Sequence, residues 1–332
     1  MKRIAINGMG RTGRFMLRQL VLHNKWDIEL VAVNDLADAD TIAYLVQYDS
    51  VHGRLSDRVT VDDGHLALAG HRIRVLAESD PAALPWADLN VDTVIECTGQ
   101  FTKRADAARH LEAGAGRVLV GAPSPDADIT VVMGVNDQDL KPSQHQIISN
   151  ASCTTNSLAP VLKVLDEKWG IEEVLATTVH AYTASQAVVD KAAKKKHRGR
   201  AAALSMIPTS TGADSATVAV LPQLKDRIRV QAIRVPTPNV SLTDINARLR
   251  SKVSTAEVNA LMRQAAEGSL QGILGYTDEE LVSIDLVGEP CSAVIHGNAT
   301  VSAGQMVKLL AWYDNEAGYA HRCLDLISQK DF

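Results

Sequence analysis

The stretch Gly8-Met9-Gly10-Arg11-Thr12-Gly13 follows the apolar run 2–7 and precedes the apolar-periodic segment 14–22. A strand, a turn with the spacing G-x-G-x-x-G and a helix in this order are typical of a dinucleotide-binding unit. The glycines allow a tight turn and let the backbone approach a pyrophosphate, which would rest on the helix N-terminus. We therefore predict a dinucleotide site at the three glycines of this stretch.

An acidic residue stands where the next strand of such a unit would end. Residues 29–34 form a second apolar run, and Asp35 follows it directly. A carboxylate about 20 residues past the glycines can accept hydrogen bonds from an adenosine ribose and repels a 2′-phosphate. Asp35 therefore favours NAD over NADP.

Strand and helix patterns continue to alternate through the first half of the chain. We predict strands at 92–96, 117–120 and 129–133, a helix at 102–113, and a hairpin insertion around Asp63-Gly64. Such alternation indicates a parallel, doubly wound sheet that binds its ligand at the carboxyl ends of the strands. Thr98-Gly99 follows one of those ends and joins the predicted cofactor site.

A second junction of strand and helix holds Asn150-Ala151-Ser152-Cys153-Thr154-Thr155-Asn156. Residues 145–149 read as a strand, and the apolar periodicity of 158–165 predicts a helix that ends at Gly170. Cys153 would then lie at a helix N-terminus, where free N–H groups and the helix dipole favour a thiolate. We expect the pKa of this thiol to lie below that of a free cysteine.

A histidine closes the next predicted strand. Residues 174–179 are strand-like and lead into His180, so Cys153 and His180 begin and end one helix–strand excursion. An imidazole within reach of a thiol can hold it as thiolate and later carry its proton. The pair predicts nucleophilic catalysis by Cys153 with His180 as the acid–base group.

Groups suited to oxyanions follow the histidine. They include Arg198, Arg234 and the threonine-rich stretch 208–212. Arginine forks, hydroxyls and backbone N–H groups bind phosphate, which suggests an anionic substrate. Alternatively, the two arginines form simple salt bridges, and the basic stretch 191–200 is a solvated face.

Strands in the second half run together instead of alternating with helices. They are predicted at 240–249, 282–287, 293–296 and 306–312, and helices at 255–267 and 316–328. We therefore predict an α/β protein: a Rossmann-type doubly wound parallel sheet plus an α+β catalytic domain with a mixed or antiparallel sheet.

Composition excludes several other classes of protein. The 332 residues carry a net charge of −5 and no apolar run of transmembrane length, which predicts a cytoplasmic enzyme without nucleic acid as its main partner. The four cysteines, Cys97, Cys153, Cys291 and Cys323, are scattered, so we expect no disulfide framework and no metal site.

These motifs together resemble the phosphorylating glyceraldehyde-3-phosphate dehydrogenase family from end to end. The matching stretches are Ile6-Asn7-Gly8-Met9-Gly10-Arg11, Val33-Asn34-Asp35, Tyr48-Asp49-Ser50-Val51-His52-Gly53, 151–156, His180-Ala181-Tyr182-Thr183, 207–212, 234–241 and Trp312-Tyr313-Asp314-Asn315-Glu316. The resemblance implies a homotetramer, an NAD-binding domain at 1–150 to which the helix at 315–332 returns, and a catalytic domain at 151–314.

The resemblance also implies the reaction. Cys153 attacks D-glyceraldehyde 3-phosphate to give a hemithioacetal, hydride transfer to NAD leaves a thioester, and inorganic phosphate releases 1,3-bisphosphoglycerate. It assigns the substrate phosphate to Thr183, Arg198 and Arg234, and the attacking phosphate to Ser152, Thr154, Thr211 and Gly212. It assigns the adenosine half of NAD to Arg11, Thr12 and Asp35, and the nicotinamide amide to Asn315.

Three positions depart from the family pattern. Ser157 stands where a second cysteine is common, and Gly121 stands where a serine often contacts the cofactor. In related NAD-specific enzymes a bulky residue and a proline obstruct the 2′-phosphate of a cofactor on a neighbouring subunit. Lys191-Ala192 stands in their place and adds a positive charge, so we also expect some NADP use beside NAD.

Two rival functions remain open at this point. Erythrose-4-phosphate dehydrogenase shares the cysteine, the histidine and the NAD domain but hydrolyses its thioester with water. A non-catalytic NAD-binding scaffold would not need the pair of Cys153 and His180.

Overall fold

A computed structural model describes residues 1–23, 25–329 and 332, which group into two compact units. The first unit contains Met1–Val131, Asp137–Ala151 and Ala320–Phe332. The second contains Val132–Asn136 and Ser152–Tyr319. The predicted assignment of functions, NAD binding to 1–150 with 315–332 and catalysis to 151–314, stays a prediction.

The first unit is built on a sheet of nine strands, counted over the described residues. The strands of this unit are β1 (Lys2–Asn7), β2 (Ile28–Asn34), β3 (Tyr48–Asp49), β4 (Gly53–Arg54), β5 (Thr60–Asp62), β6 (His65–Leu68), β7 (His71–Leu76), β8 (Thr93–Glu96), β9 (Arg117–Val120), β10 (Ile129–Thr130) and β11 (Ile147–Ser149). Its helices are α1 (Arg11–Leu22), α2 (Ala39–Gln47), α3 (Arg104–Ala107) and α4 (Arg109–Glu112), with short 3-10 helices at Pro81–Ala83 and Asp137–Asp139. β3 and β4 pair only with each other.

The strand order is β10-β11-β9-β8-β1-β2-β7-β6-β5, and the strands from β10 to β7 are parallel. The chain winds from β1 to one side through β2 and returns to the other side through β8, which confirms the predicted doubly wound sheet. Asn7 of β1 is in register with Asn34 of β2 and with Glu96 of β8. The carboxyl ends of these three strands therefore lie side by side, where such sheets bind ligands.

The predicted hairpin around Asp63-Gly64 is present, since β5 and β6 are antiparallel across it. Asp63 and Gly64 have φ values of 46° and 70°, the left-handed region that two-residue hairpin turns require. The segment is not a separate insertion as expected, because β7 pairs parallel with β2 and joins the hairpin to the main sheet.

Two helix bounds also differ from prediction. α1 starts at Arg11, within the glycine motif, and not at position 14. A Cβ on Gly13 would lie 2.2 Å from the carbonyl oxygen of Gly8, so glycine is what lets the helix start this close to the turn. The helix predicted at 102–113 is divided into α3 and α4.

The second unit has a sheet of eight strands, again counted over the described residues. They are β12 (Ile171–Ala181), β13 (Ile207–Thr209), β14 (Ile228–Val235), β15 (Ser241–Leu249), β16 (Leu274–Thr277), β17 (Ala293–His296), β18 (Val301–Ala303) and β19 (Met306–Tyr313). The helices are α5 (Cys153–Trp169), α6 (Ala213–Val220), α7 (Thr255–Glu267) and α8 (Ala317–Ser328), whose residues from Ala320 onward group with the first unit. Short 3-10 helices lie at Lys196–Gly199, Ala202–Leu204, Pro222–Leu224, Ser283–Leu286 and Gly297–Ala299.

This sheet has the order β13-β14-β12-β15-β19-β17-β16, with β18 paired to β19 outside this order, and is mixed, as predicted. β12 is parallel to β14 on one side and antiparallel to β15 on the other. The mixed pairing places His180 of β12 in register with Arg234 of β14. The capping box that predicts α7 is also formed, between Ser254 and Glu257.

The strand predicted at 282–287 is wrong, because this run forms a 3-10 turn. The carboxylate of Asp285 accepts a hydrogen bond from the backbone N–H of Val282 at 2.9 Å, and the N–H of Asp285 donates to the Val282 carbonyl. Such local bonds compete with pairing in a sheet. The apolar side chains that suggested a strand, Val282 and Ile284, are exposed.

Within residues 1–23, 25–329 and 332, no helix is both long and apolar enough to cross a bilayer.

Candidate active site

Cys153 is the first residue of α5, as its predicted position at a strand–helix junction requires. Ser152 caps the helix, since its hydroxyl oxygen accepts a hydrogen bond from the Thr155 N–H at 3.1 Å. The helix ends at Gly170, which has a φ of 68°. The thiol is therefore fixed at the positive end of a helix of 17 residues.

The structure brings Cys153 and His180 together. The Cys153 Sγ atom lies 3.6 Å from Nε2 of His180, which is 5% exposed near the end of β12. A sulfur and a ring nitrogen at this separation can exchange a proton. The pair therefore has the geometry of a nucleophile and its base.

The expected low pKa of the free thiol is not observed. Burial raises the pKa of Cys153 above its usual value, and the charge of Arg234 with hydrogen bonds from Thr154 and the Cys153 N–H lowers it only in part. The sequence showed the helix terminus but not the burial, and a buried thiolate loses its hydration. The helix terminus alone therefore does not explain an activated nucleophile.

Burial also lowers the pKa of His180 to about 3, with the nearby charge of Arg234 as the next cause. A lone charge on either partner is therefore costly. Moving the proton from sulfur to ring instead creates two opposite charges 3.6 Å apart, which attract strongly in a buried site. The two groups can thus share one proton, and nearby charges decide where it lies.

The other ring nitrogen of His180 has two alternative partners. Nδ1 lies 2.7 Å from the carbonyl oxygen of Ala181 and 2.9 Å from Nη1 of Arg234. With a proton on Nδ1 the ring donates to Ala181, which leaves Nε2 free to accept a proton from sulfur. With Nδ1 bare it accepts from Arg234, and Nε2 carries its proton toward Cys153. Both tautomers therefore have a satisfied hydrogen bond.

A network of buried hydroxyls lies next to His180. The Tyr313 hydroxyl lies 2.9 Å from the Thr154 hydroxyl and 2.7 Å from that of Thr178, and burial raises the pKa of Tyr313. The Tyr313 ring also meets the His180 ring edge-on, with centroids 6.0 Å apart. Tyr313 was not predicted as a site residue. Thr154 was predicted to bind an anion, and its hydroxyl is directed into this network.

Arg234, beside Cys153 and His180, has a hydrogen-bond donor that is not used. Its Nη1 contacts Ala181 and His180, but its buried Nε atom has no hydrogen-bond partner among the described residues. A buried guanidinium nitrogen without a partner fits an absent anionic ligand. The positive charge of Arg198 also acts on both Arg234 and His180.

The remaining predicted anion-binding residues have partners of their own. Arg198 donates to the Thr209 hydroxyl at 3.1 Å and to the Ser210 carbonyl at 3.3 Å. The Thr183 hydroxyl pairs with that of Ser185. Neither Arg198 nor Arg234 takes part in a salt bridge between described residues. The alternative interpretation, that these arginines form simple structural salt bridges, is therefore not supported among those residues.

Thr211 and Gly212 precede α6. Gly212 is its N-cap and supplies no side-chain hydrogen bond, while the Thr211 hydroxyl accepts from the Ala213 N–H at 3.2 Å. Ser152, by contrast, uses its hydroxyl oxygen to cap α5. The structure therefore presents two helix starts near groups that sequence analysis assigned to phosphate.

The side chain of Asn315 is held in place by Ser241. Its Oδ1 accepts a hydrogen bond from the Ser241 hydroxyl at 2.9 Å, and Ser241 also accepts from the Ala181 N–H at 3.1 Å. Asp314 fixes the same turn through the N–H groups of Glu316 and Ala317. Because Oδ1 is engaged, the NH₂ group of Asn315 is left to donate to an amide oxygen. Neither Ser241 nor Asp314 was predicted as a site residue.

The predicted dinucleotide turn has the geometry that a pyrophosphate needs. α1 starts at Arg11, followed by Thr12, with Gly10 as an N-cap that supplies no side-chain hydrogen bond. A Cβ added to Gly10 or to Gly99 would meet nothing within 4 Å, whereas one on Gly8 would lie 2.7 Å from the Thr98 nitrogen. Open space at the N-terminus of a helix fits an anionic cofactor group.

Asp35 is fixed as a hydrogen-bond acceptor. Its Oδ2 accepts from the Met9 N–H at 2.7 Å and its Oδ1 from the Ala37 N–H at 3.0 Å. Each oxygen keeps a lone pair for a ribose hydroxyl. Arg11 forms a bidentate pair with Asp49 at 2.7 and 3.1 Å.

The departures from the family pattern have structural correlates. A Cβ at Gly121 would lie 3.1 Å from the Glu96 carbonyl oxygen and 3.2 Å from the Cys97 sulfur, so a larger residue would be crowded there. Ser157 is buried in α5 and offers Cys153 no disulfide partner. Lys191 is exposed.

Two family descriptions match the chain. "Glyceraldehyde 3-phosphate dehydrogenase, NAD binding domain" matches residues 2–104, and "Glyceraldehyde 3-phosphate dehydrogenase, C-terminal domain" matches residues 152–315.

Curated relatives match over nearly the whole length of both chains. Glyceraldehyde-3-phosphate dehydrogenase from Geobacillus stearothermophilus is 53% identical over 325 residues, which are 98% of this chain and 96% of that one. Glyceraldehyde-3-phosphate dehydrogenase 1 from Bacillus subtilis is 52% identical over 325 residues, with the same shares of both chains. Glyceraldehyde-3-phosphate dehydrogenase from Streptomyces coelicolor is 50% identical over 326 residues, which are 98% of this chain and 97% of that one.

Proposed function

The chain belongs to the glyceraldehyde-3-phosphate dehydrogenase family, and from that premise we propose that Cys153 is its nucleophile and His180 its acid–base group. The enzyme catalyses the NAD-dependent oxidative phosphorylation of D-glyceraldehyde 3-phosphate to 1,3-bisphosphoglycerate. The observation that carries the assignment of residues is the separation of 3.6 Å between the Cys153 sulfur and His180 Nε2.

The first step is attack of the Cys153 sulfur on the aldehyde carbon. The thiol proton passes to His180 Nε2 as the carbon–sulfur bond forms, and the aldehyde oxygen becomes an alkoxide. We propose that the backbone N–H of Cys153, at the start of α5, donates a hydrogen bond to that oxygen. Protonation of the alkoxide then gives the hemithioacetal.

Oxidation and phosphorolysis complete the cycle. As the hydride leaves carbon, His180 takes the hydroxyl proton and a thioester to Cys153 results. Inorganic phosphate then attacks the thioester carbonyl, the carbon–sulfur bond breaks, and Cys153 regains its thiolate while the acyl phosphate departs. The alternative tautomers of His180 allow the ring to accept and return a proton in each cycle.

We assign the substrate phosphate to Arg234, Arg198 and Thr183, with Arg234 as the best supported of the three. Its buried Nε lacks a partner among the described residues, and its charge also favours the thiolate. The attacking phosphate is assigned to Ser152, Thr154, Thr211 and Gly212. Of these, the α6 start at Gly212 has the firmest support, because Thr154 is engaged with Tyr313.

The cofactor is NAD, which when bound accepts the hydride. We propose that the turn Gly8–Gly13 with Arg11 and Thr12 holds its pyrophosphate and adenosine side, that Asp35 accepts from its ribose, and that Thr98-Gly99 lines the same edge. Asn315 is proposed to donate to the nicotinamide amide. The fixed Asp35 carboxylate supports NAD over NADP, since a 2′-phosphate would face a negative charge.

We also propose that the enzyme uses some NADP. Lys191 is exposed and has no ion-pair partner among the residues described, so its charge is available to the 2′-phosphate of a cofactor on a neighbouring subunit. The effect would be small compared with the repulsion from Asp35.

We further propose a homotetramer in the cytoplasm. Exposed apolar side chains in the second unit support self-association: Val188, Val189, Leu204 and Met206 are 71–85% exposed. Apolar surface of this kind is usual at protein interfaces. The cytoplasmic assignment rests on family membership.

NADH formation from glyceraldehyde 3-phosphate, with and without inorganic phosphate, tests the proposed function. We expect turnover to require phosphate. Phosphate-independent oxidation of erythrose 4-phosphate would instead favour the hydrolytic relative, and NAD binding without any turnover would favour a scaffold.

A further inference from the structure

Glu96 is a fully buried carboxylate at the end of β8, and the mechanism above does not use it. Its Oε2 lies 2.6 Å from Asn7 Nδ2 and 3.1 Å from His110 Nε2. Its Oε1 accepts a hydrogen bond from the Thr98 N–H at 2.7 Å and another from the Thr98 hydroxyl. Four groups therefore converge on one carboxylate.

The direction of the hydrogen bond from His110 is fixed by Trp86. An indole N–H can only donate, and Trp86 Nε1 lies 3.0 Å from His110 Nδ1. Nδ1 must then be the acceptor, so Nε2 carries the ring proton and directs it at Glu96. Trp86 and His110 are both 0% exposed, so water does not compete for these bonds.

The direction of the bond from Asn7 is fixed from the opposite end. The Glu78 N–H donates to Asn34 Oδ1 at 2.8 Å, which leaves the Asn34 NH₂ group to donate to Asn7 Oδ1 at 2.7 Å. The NH₂ group of Asn7 therefore points at Glu96. Both chains of hydrogen bonds end on the carboxylate, and an acceptor-only group is what they require.

We propose that Glu96 is a positioning residue for the cofactor, which holds the ends of β1, β2 and β8 in one arrangement. Asn7 directly precedes Gly8, Asn34 directly precedes Asp35, and Thr98 directly precedes Gly99. The turns also touch: Gly8 N donates to the Asn34 carbonyl at 2.8 Å, and the space beside Gly8 is filled by the Thr98 backbone. The inference rests on the proposed placement of NAD over these three turns.

The test is Glu96→Gln, which keeps shape but replaces one acceptor oxygen by an NH₂ group. That group must face either the Thr98 N–H or the donors from Asn7 and His110, so one side of the network repels it. We expect the KM for NAD to rise about tenfold, with kcat at saturating NAD and the KM for the aldehyde changed less than about twofold.

Trp86→Phe is the second variant, because Glu96→Gln could fail to fold. It keeps the aromatic packing but frees His110 from its fixed tautomer, and we expect the KM for NAD to rise about threefold. A loss of thermal stability in either folded variant with an unchanged KM for NAD would overturn the proposal, since the network would then only stabilise the fold.

Asp35→Ala separates the inference from the function on which it rests. If Asp35→Ala weakens NAD binding and the two network variants do not, the positioning role is wrong and the proposed cofactor site stands. If Asp35→Ala also leaves the KM for NAD unchanged, the proposed cofactor site is itself overturned.

Discussion

Two buried histidines, His110 in the first unit and His180 in the second, have opposite surroundings. Each lies against an ionisable partner, Glu96 at 3.1 Å and Cys153 at 3.6 Å. His110 has one donor on one ring nitrogen and one acceptor on the other, so a single tautomer fits. His180 has two competing partners on Nδ1, so both tautomers fit.

The difference shows that burial alone does not make a histidine an acid–base group. His110 and His180 are 0% and 5% exposed, yet the partners of His110 fit one tautomer and those of His180 fit two. A ring with fixed partners can hold loops in place, and a ring with alternative partners can pass protons. Each prediction below would break or refine that distinction.

The largest effect is expected from Cys153→Ser. A serine hydroxyl is a far weaker nucleophile than a thiolate, so kcat/KM should fall by about 10⁴-fold or more in NADH-formation assays. NAD binding, measured by calorimetry, should be retained. Cys291→Ser removes a half-buried thiol elsewhere and should leave activity within about twofold. Comparable losses in both variants would refute the assignment of the nucleophile.

The two histidines should differ in the kinetic constant that responds. His180→Asn removes the proton acceptor, so kcat should fall by about 10²- to 10⁴-fold. His110→Asn disturbs the Glu96 network, so it should raise the KM for NAD and lower the melting temperature while kcat falls less than about tenfold. Equal losses of kcat in steady-state assays would erase the distinction between them.

Much of this comparison could not be predicted from the sequence. The glycine turn, Asp35, Cys153 and His180 were predictable because each follows a local pattern of strand, turn and helix. Trp86, Glu96 and His110 come from separate segments that meet only in the folded sheet, and nothing near any of them marks the others.

Two other predictions were wrong for different reasons. Cys153 has the sequence environment of a low-pKa thiol, but the fold buries it, and burial raises its pKa. The run at 282–287 has the composition of a strand, but its apolar side chains Val282 and Ile284 are exposed and Asp285 bonds to the backbone of Val282. The first signal is outweighed by contacts that come from elsewhere in the fold, and the second by a hydrogen bond between residues three apart.

The charge of Asp49 in the first unit makes the stability of the protein depend on pH. Asp49 pairs with Arg11, and although burial opposes its charge, hydrogen bonds from His52, Arg11 and Val51 lower its pKa from the usual 3.8 to about 2. Between pH 2 and pH 3.8 the folded state therefore binds fewer protons than the unfolded state. Its stabilisation is full above pH 3.8 and is lost as pH falls toward 2.

Asp49→Asn should therefore lower the free energy of unfolding by about 2 kcal/mol at neutral pH, measured by urea denaturation. The difference from the parent chain should shrink toward zero near pH 2. A difference that stays constant with pH would mean that Asp49 acts through packing and not through its charge.

The smallest effect is expected at Lys191, which is outside both histidine networks. Lys191→Glu should raise the KM for NADP about threefold, because a charge at an exposed site contributes little, and leave kcat/KM for NAD unchanged. Spectrophotometric assays with each cofactor measure both. No NADP turnover in either protein would reject secondary NADP use.

The central claim, that Cys153 and His180 share one proton, is tested most directly by the pH dependence of alkylation at Cys153. Iodoacetamide labelling, located at Cys153 by mass spectrometry, should be compared in the parent chain and His180→Asn. Because only a thiolate reacts, loss of the ring should slow labelling at neutral pH and move the profile to higher pH. Identical profiles in the two proteins would contradict the account.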